Sequence, residues 1–125
     1  MRIGIARSDP SGILAVPLDS VPAGEHSVDQ VLALIEEHVV VEVIVGLPLK
    51  MDGSEGASAQ MARTWAAELQ AATSVPVRLV DERLTTVQAQ RGLHAAGRTV
   101  KSSRSAIDSA SAVVLLQSVL EGRSR

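Results

Sequence analysis

The run Val39-Val-Val-Glu-Val-Ile-Val-Gly-Leu47, closed by Pro48-Leu-Lys50, decides the fold class. It is apolar at both alternating positions except for Glu42 and Gly46. A strand apolar on both faces is covered on both faces, so residues 39–47 predict a central parallel strand with helices on either side. Downstream, Asp52-Gly53 marks a turn, and a helix is expected from about Ser54, with Met61, Trp65 and Leu69 spaced by four on one side. Pro76 permits an extended start, and residues 77–80 read as the next strand, ending at Asp81-Glu-Arg83. Thr85-x-x-Gln88 matches a capping box for a helix that stops at Gly97. A polar, basic loop over residues 98–105 then leads to a last helix over about 105–120.

Upstream of the deciding run, residues 2–7 and 13–18 read as the two strands of a hairpin around the turn cluster Ser8-Asp-Pro-Ser-Gly12. Ser27-x-x-Gln30 matches another capping box, with Val28, Val31, Leu32 and Ile35 as the apolar stripe of the helix that follows. The order is β-β-α-β-α-β-α-α without a long linker, low-complexity tract or repeat. It implies one α/β layer structure, a single domain over residues 1–125. The tail after Gly122 is expected to fray.

Composition narrows the function. Of 125 residues, 46% are hydrophobic and 21% charged, which is a folding sequence rather than a disordered one. Cysteine is absent, which excludes a disulfide scaffold or thiolate metal site and suits a reducing compartment. No stretch approaches the roughly 18 apolar residues that a membrane span needs, and no basic-then-apolar start marks a secretion signal. A cytoplasmic location is therefore expected. The net charge of -2 conceals an asymmetry. Residues 1–82 carry 5 Lys/Arg against 12 Asp/Glu, a net -7, and residues 83–125 carry 7 against 2, a net +5. From Arg83 to Ile107 there is no acid, while Arg83, Arg91, Arg98, Lys101 and Arg104 supply cations. Such a region can recruit a polyanion, or it can be a solvated helix and loop.

Ligands of open α/β sheets gather at the carboxyl ends of parallel strands. Residues 46–56 and 81–86 place polar groups there. Side chains alternate along a strand, so only one of Asp81 and Glu82 can face a given site. The plainer reading of Asp81 is that it holds loop amides or pairs with an arginine. Asp108 falls on the stripe of Ala112, Leu115 and Val119 in a helix that is apolar nearly all round. A buried carboxylate needs a cation, a metal ion or the free amides of its own helix start. Carboxylates from a strand end and a helix start can converge on Mg²⁺ or Mn²⁺, hard ions that seek oxygen ligands and support phosphodiester cleavage. Other chemistry is weakly signalled. The three histidines lack metal-ligand spacing, no phosphate loop of the Walker or dinucleotide type is present, and no serine has a triad partner. Met51-Asp-Gly-Ser-Glu-Gly56 reads as an anion-binding helix start or simply as a turn.

The segments Val43-Ile-Val-Gly-Leu-Pro-Leu49, Met51-Asp-Gly-Ser-Glu55, Asp81-Glu-Arg-Leu-Thr-Thr86 and Ile107-Asp-Ser-Ala-Ser-Ala112, in that order, together make a specific signature. With Arg2-Ile-Gly-Ile-Ala-x-Ser-Asp-Pro10, they resemble the bacterial YqgF family essentially end to end. That family is described both as Holliday junction resolvases and as nucleases that process precursor small-subunit ribosomal RNA. The resemblance implies an α/β, ribonuclease-H-like mixed sheet flanked by helices, and cleavage dependent on Mg²⁺ or Mn²⁺. Carried over by position, the strand-end acid matches Glu82, with Asp81 its close rival, and the helix acid matches Asp108. These are the expected catalytic residues, with Glu82 and Asp108 as metal ligands. Arg83 and Thr85 would support the acidic cluster or a phosphate. Lys50, Arg91, Arg98, Lys101 and Arg104 are added as contacts to a nucleic-acid backbone, because phosphate binding needs positioned cations.

In one respect the chain departs from that pattern. The family opens with a strand bearing G-x-D-x-G, whose Asp is the first metal ligand, and Arg2-Ile-Gly-Ile5 matches the strand just after it. The expectation is an N-terminally incomplete domain that lacks this ligand. Asp9 does not replace it, because it sits in the hairpin turn. Two alternatives to a nuclease follow: a non-catalytic nucleic-acid-binding module, and an assembly protein or homodimer that pairs through an exposed sheet edge.

Overall fold

The structure, a computed structural model, describes residues 2–82 and 109–123. Over these residues the chain is mixed α/β: β1 (Arg2–Ser8), β2 (Ala15–Pro22), α1 (Ser27–Glu37), β3 (Val43–Leu47), α2 (Ala57–Ala72), β4 (Val77–Asp81) and α3 (Ala110–Arg123). The helix expected over residues 85–97, the basic loop and residues 105–108 lie outside the described residues. The chain divides into two compact units, Met1–Ala23 with Leu84–Arg125, and Gly24–Arg83.

In the first unit β1 and β2 pair antiparallel, as a hairpin requires. The second strand starts at Ala15 rather than at residue 13. The Asp9 carboxylate accepts hydrogen bonds from the Ile13 and Leu14 amides at 2.7 and 2.9 Å, so those residues belong to the turn and stay exposed. Gly12 has φ 69°, the left-handed conformation in which glycine is least strained. The register slips between Ile3↔Val21 and Ile5↔Leu18, leaving a bulge. The helix α3 lies on this hairpin, with Val113 and Leu120 packed around Ala15, Ala6 and Leu116. As its composition predicts, α3 is buried nearly all round, at Val113, Val114, Leu115, Gln117, Ser118 and Leu120.

Two polar side chains fasten α3 to the strands. Gln117 accepts from the Ala15 amide and donates to the Ile13 carbonyl, both at 2.8 Å. Ser109, fully buried just before α3, accepts from the Ile5 amide at 3.0 Å and donates to the Leu18 carbonyl at 2.8 Å. It thereby supplies hydrogen bonds at the edge of the bulge, where the ladder is interrupted.

In the second unit β3 and β4 pair parallel from Val43↔Val77 to Leu47↔Asp81. Among the described residues they form a two-stranded sheet. The helix α2 packs on both strands and α1 packs on α2. The strand β3 is four residues shorter than the apolar run. Residues 39–42 instead close α1: Val39 takes φ 51°, its amide bonds the Glu36 carbonyl, and the Val40 amide bonds the Ile35 carbonyl. This is a Schellman C-cap with valine where glycine is usual.

Two further expectations are corrected. Ser27 is the first residue of α1, His26 is the N-cap, and no side chain caps the helix. The Ser27 hydroxyl is engaged elsewhere: it donates to the Gly24 carbonyl at 2.8 Å and accepts from the Trp65 indole at 3.0 Å. Helix α2 begins at Ala57, after the Lys50–Glu55 turn, and its buried residues are Ala59, Ala66 and Leu69. Met61 is exposed and Trp65 is half-buried. No helix among the described residues is long and apolar enough to cross a membrane.

Candidate active site

Because β3 and β4 run parallel, their carboxyl ends lie side by side, and the candidate residues of this unit gather there. Leu47↔Asp81 is the last ladder pair. The Glu82 amide then donates to the Leu47 carbonyl at 3.2 Å, which holds Glu82 one step past the strand. The two neighbouring acids differ in environment. Asp81 is half-buried and already has a partner. Glu82 is exposed, and among the described residues its carboxylate makes no hydrogen bond or ion pair. Its side chain folds back over the backbone of Gly46, near the end of β3. Of the two rivals, Glu82 is the more exposed.

Lys50 follows β3 and starts a tight turn. Its amide donates to the Ser54 carbonyl, and its own carbonyl accepts from the Gly53 amide, each at 2.9 Å. Asp52 accepts from the Ser54 amide at 2.9 Å and the Ser54 hydroxyl at 2.6 Å, closing the loop on itself. Glu55 then forms a two-bond pair with Arg63 of α2, at 2.6 and 2.7 Å. Hydrogen bonding from Arg63 holds the Glu55 carboxyl below the usual glutamate range. These bonds support the turn reading of residues 51–56. The Lys50 side chain passes over Gly56, the N-cap of α2, and its ammonium is exposed with no ion pair among the described residues.

The structure thus brings Asp81, Glu82 and Lys50 to the ends of two adjacent strands. Asp108, Arg83, Thr85, Arg91, Arg98, Lys101 and Arg104 lie outside the described residues. Among the described residues no three His, Cys, Asp or Glu side chains form a metal-binding group. Sequence reasoning missed Gly46, whose signal was a glycine breaking an apolar strand run, and Ser109, which had no signal beyond being a polar neighbour of Asp108.

A family model described as RuvX, Holliday junction resolvase, matches residues 1–122. Among curated relatives, a protein of Clavibacter michiganensis subsp. michiganensis is 47% identical over 123 residues, covering 96% of this chain and 76% of its own. One from Rhodococcus erythropolis is 45% identical over 132 residues, with 100% and 75% covered. One from Thermobifida fusca is 46% identical over 132 residues, with 99% and 83% covered. Each of the three carries the name "Putative pre-16S rRNA nuclease".

Proposed function

Since this chain belongs to the RuvX family of Holliday junction resolvases, we propose that it is a nuclease that hydrolyses phosphodiester bonds in structured nucleic acid, with Glu82 and Asp108 as its catalytic carboxylates. The observation that carries this reading is the exposed Glu82 carboxylate, with no ion pair among the described residues, at the shared carboxyl end of β3 and β4. With it we assign a single ribonuclease-H-like domain in the cytoplasm, the compartment in which bacterial ribosomes are assembled. The substrate we favour is precursor 16S rRNA, because the relatives bear that name; a cut near its 5′ end is our further assignment. The family's own description favours a second substrate, the Holliday junction.

The donor chemistry fits a hard divalent cation. A carboxylate offers oxygen ligands of the kind Mg²⁺ and Mn²⁺ prefer, and Glu82 together with Asp108 would hold the ion. When bound, the ion would activate water and stabilise the leaving oxygen. Asp81, half-buried and already partnered, remains the rival strand-end acid. Exposed Lys50 would contact a backbone phosphate, and Arg83, Thr85, Arg91, Arg98, Lys101 and Arg104 would extend that contact. A homodimer joined through a sheet edge is the proposed route to self-association.

The test is cleavage of end-labelled precursor 16S rRNA leader and of a four-way DNA junction, with Mg²⁺ or Mn²⁺ added or chelated. Metal-dependent cutting by the wild type, abolished in Glu82→Gln and in Asp108→Asn, is expected. Full activity in either variant overturns the assignment. Salt-sensitive binding without cutting under every metal condition would instead establish a non-catalytic binding module.

A further inference from the structure

We infer that Gly46 is a positioning residue for Glu82: the missing side chain at position 46 leaves the seat into which the Glu82 carboxylate folds. This inference rests on reading Glu82 as the metal-binding carboxylate. A Cβ built on Gly46 would lie 2.5 Å from Glu82 Oε1, 2.8 Å from Cγ and 3.0 Å from Cδ. Real Cβ contacts essentially never fall below 3.0 Å, so no larger residue at 46 can coexist with this conformation of Glu82.

Backbone conformation does not explain the glycine. Among the described residues the glycines with positive φ are Gly12, Gly24 and Gly53, and Gly46 is not among them. It sits inside the parallel ladder opposite Val80, where glycine weakens a strand and any β-branched residue would be preferred. A glycine inside a strand often marks the close approach of another group. Here that group is a carboxylate.

The neighbours also say what a substitution would do. The three atoms nearest the built Cβ all belong to one exposed, flexible side chain and none to the backbone. An added methyl therefore leaves the ladder intact and drives Glu82 out of its seat. Gly46→Ala separates the position of the carboxylate from its presence. Charge and the Glu82 carboxylate itself are kept, and the change falls on where its oxygen atoms lie.

Mn²⁺ binding followed by electron paramagnetic resonance of the free ion, with thermal melting in parallel, tests this without relying on turnover. Wild type, Gly46→Ala, Glu82→Gln and the double variant are compared. Gly46→Ala is expected to melt close to wild type yet bind Mn²⁺ several-fold more weakly. The double variant is expected to bind no more weakly than Glu82→Gln alone, since both changes act through the same carboxylate. If Glu82→Gln weakens binding while Gly46→Ala does not, or if their effects add fully, the positioning role is overturned and the ligand role of Glu82 stands. If Glu82→Gln binds as tightly as wild type, the ligand role falls and this inference falls with it. Should Gly46→Ala melt low, Gly46→Ala/Glu82→Ala must melt like Glu82→Ala. A melting loss that persists in that pair shows that glycine serves the strand and overturns the inference.

Discussion

Replacing Ser109 with alanine removes one oxygen atom and strands two backbone groups. The hydroxyl accepts from the Ile5 amide at 3.0 Å and donates to the Leu18 carbonyl at 2.8 Å, and the residue is fully buried. Those groups flank the register slip in the β1–β2 ladder, where strand pairing does not supply regular substitutes. A buried polar group left unsatisfied costs about 1–3 kcal/mol. Ile5 and Leu18 are themselves only half-buried, so the lower part of that range applies to each. The sum is about 2–3 kcal/mol, a large share of the roughly 5–15 kcal/mol that stabilises an ordinary domain. At about 3–5 °C per kcal/mol for a chain of this size, melting should fall by about 10 °C. Far-UV circular dichroism is the suitable probe, because the single tryptophan, Trp65, lies in the other unit. Ser111→Ala, on an exposed position of the same helix, is the control and should stay within about 0.5 kcal/mol of wild type. A Ser109→Ala variant as stable as that control would refute the claim that this hydroxyl completes the ladder.

Two further predictions concern stability. Val39→Gly should raise it by about 0.5–1 kcal/mol: a left-handed L-residue costs about 1–2 kcal/mol, and the greater freedom of glycine in the unfolded chain returns part of the gain. Val39 is 81% exposed, so little burial is lost, and a lower urea midpoint for the variant would contradict the Schellman reading. Acid should weaken the fold through Asp9 and Glu55. The Leu14 and Ile13 amides hold Asp9 below its usual range, and Arg63 does the same for Glu55. Folded values below the unfolded ones (about 3.9 and 4.3) mean that both contributions are complete above those values and are lost as pH falls through the depressed folded ones. Stability against pH for Asp9→Asn/Glu55→Gln should therefore show a shallower decline below about pH 4, and an unchanged acid limb would show that these contacts do not form in solution.

The fold was legible where local pattern and burial agree. The strand expected at residues 77–80 forms as β4, one residue longer, and the all-round apolar character of the last helix translates directly into burial. Legibility failed where one residue served two demands. The valines at 39–41 look like strand to any hydropathy argument, yet a helix must end before β3 can begin, and they supply that end. Ser27 has the right spacing for a cap, but Trp65, 38 residues away, draws on its hydroxyl. Spacing by four put Met61 on one side with Trp65 and Leu69, yet Met61 is exposed while Leu69 is buried. Such a spacing drifts about 40° per step around a 3.6-residue helix, and the alanines at 59 and 66, nearly silent in hydropathy, mark the real face.

The candidate site shows the same division. Alternation along a strand says that Asp81 and Glu82 point apart, but not which of them meets solvent. Register decides that. With Leu47 opposite Asp81, the Glu82 amide takes the Leu47 carbonyl, and the side chain one step past the ladder can fold toward β3. It can do so only because the residue it meets there has no Cβ. The pose of the Glu82 side chain therefore depends on a glycine 36 positions earlier in the sequence. Within this unit, the position of the Glu82 carboxylate is set by a pair of residues that neither strand specifies alone. A replacement at Gly46 should consequently be felt at Glu82 before it is felt in the sheet.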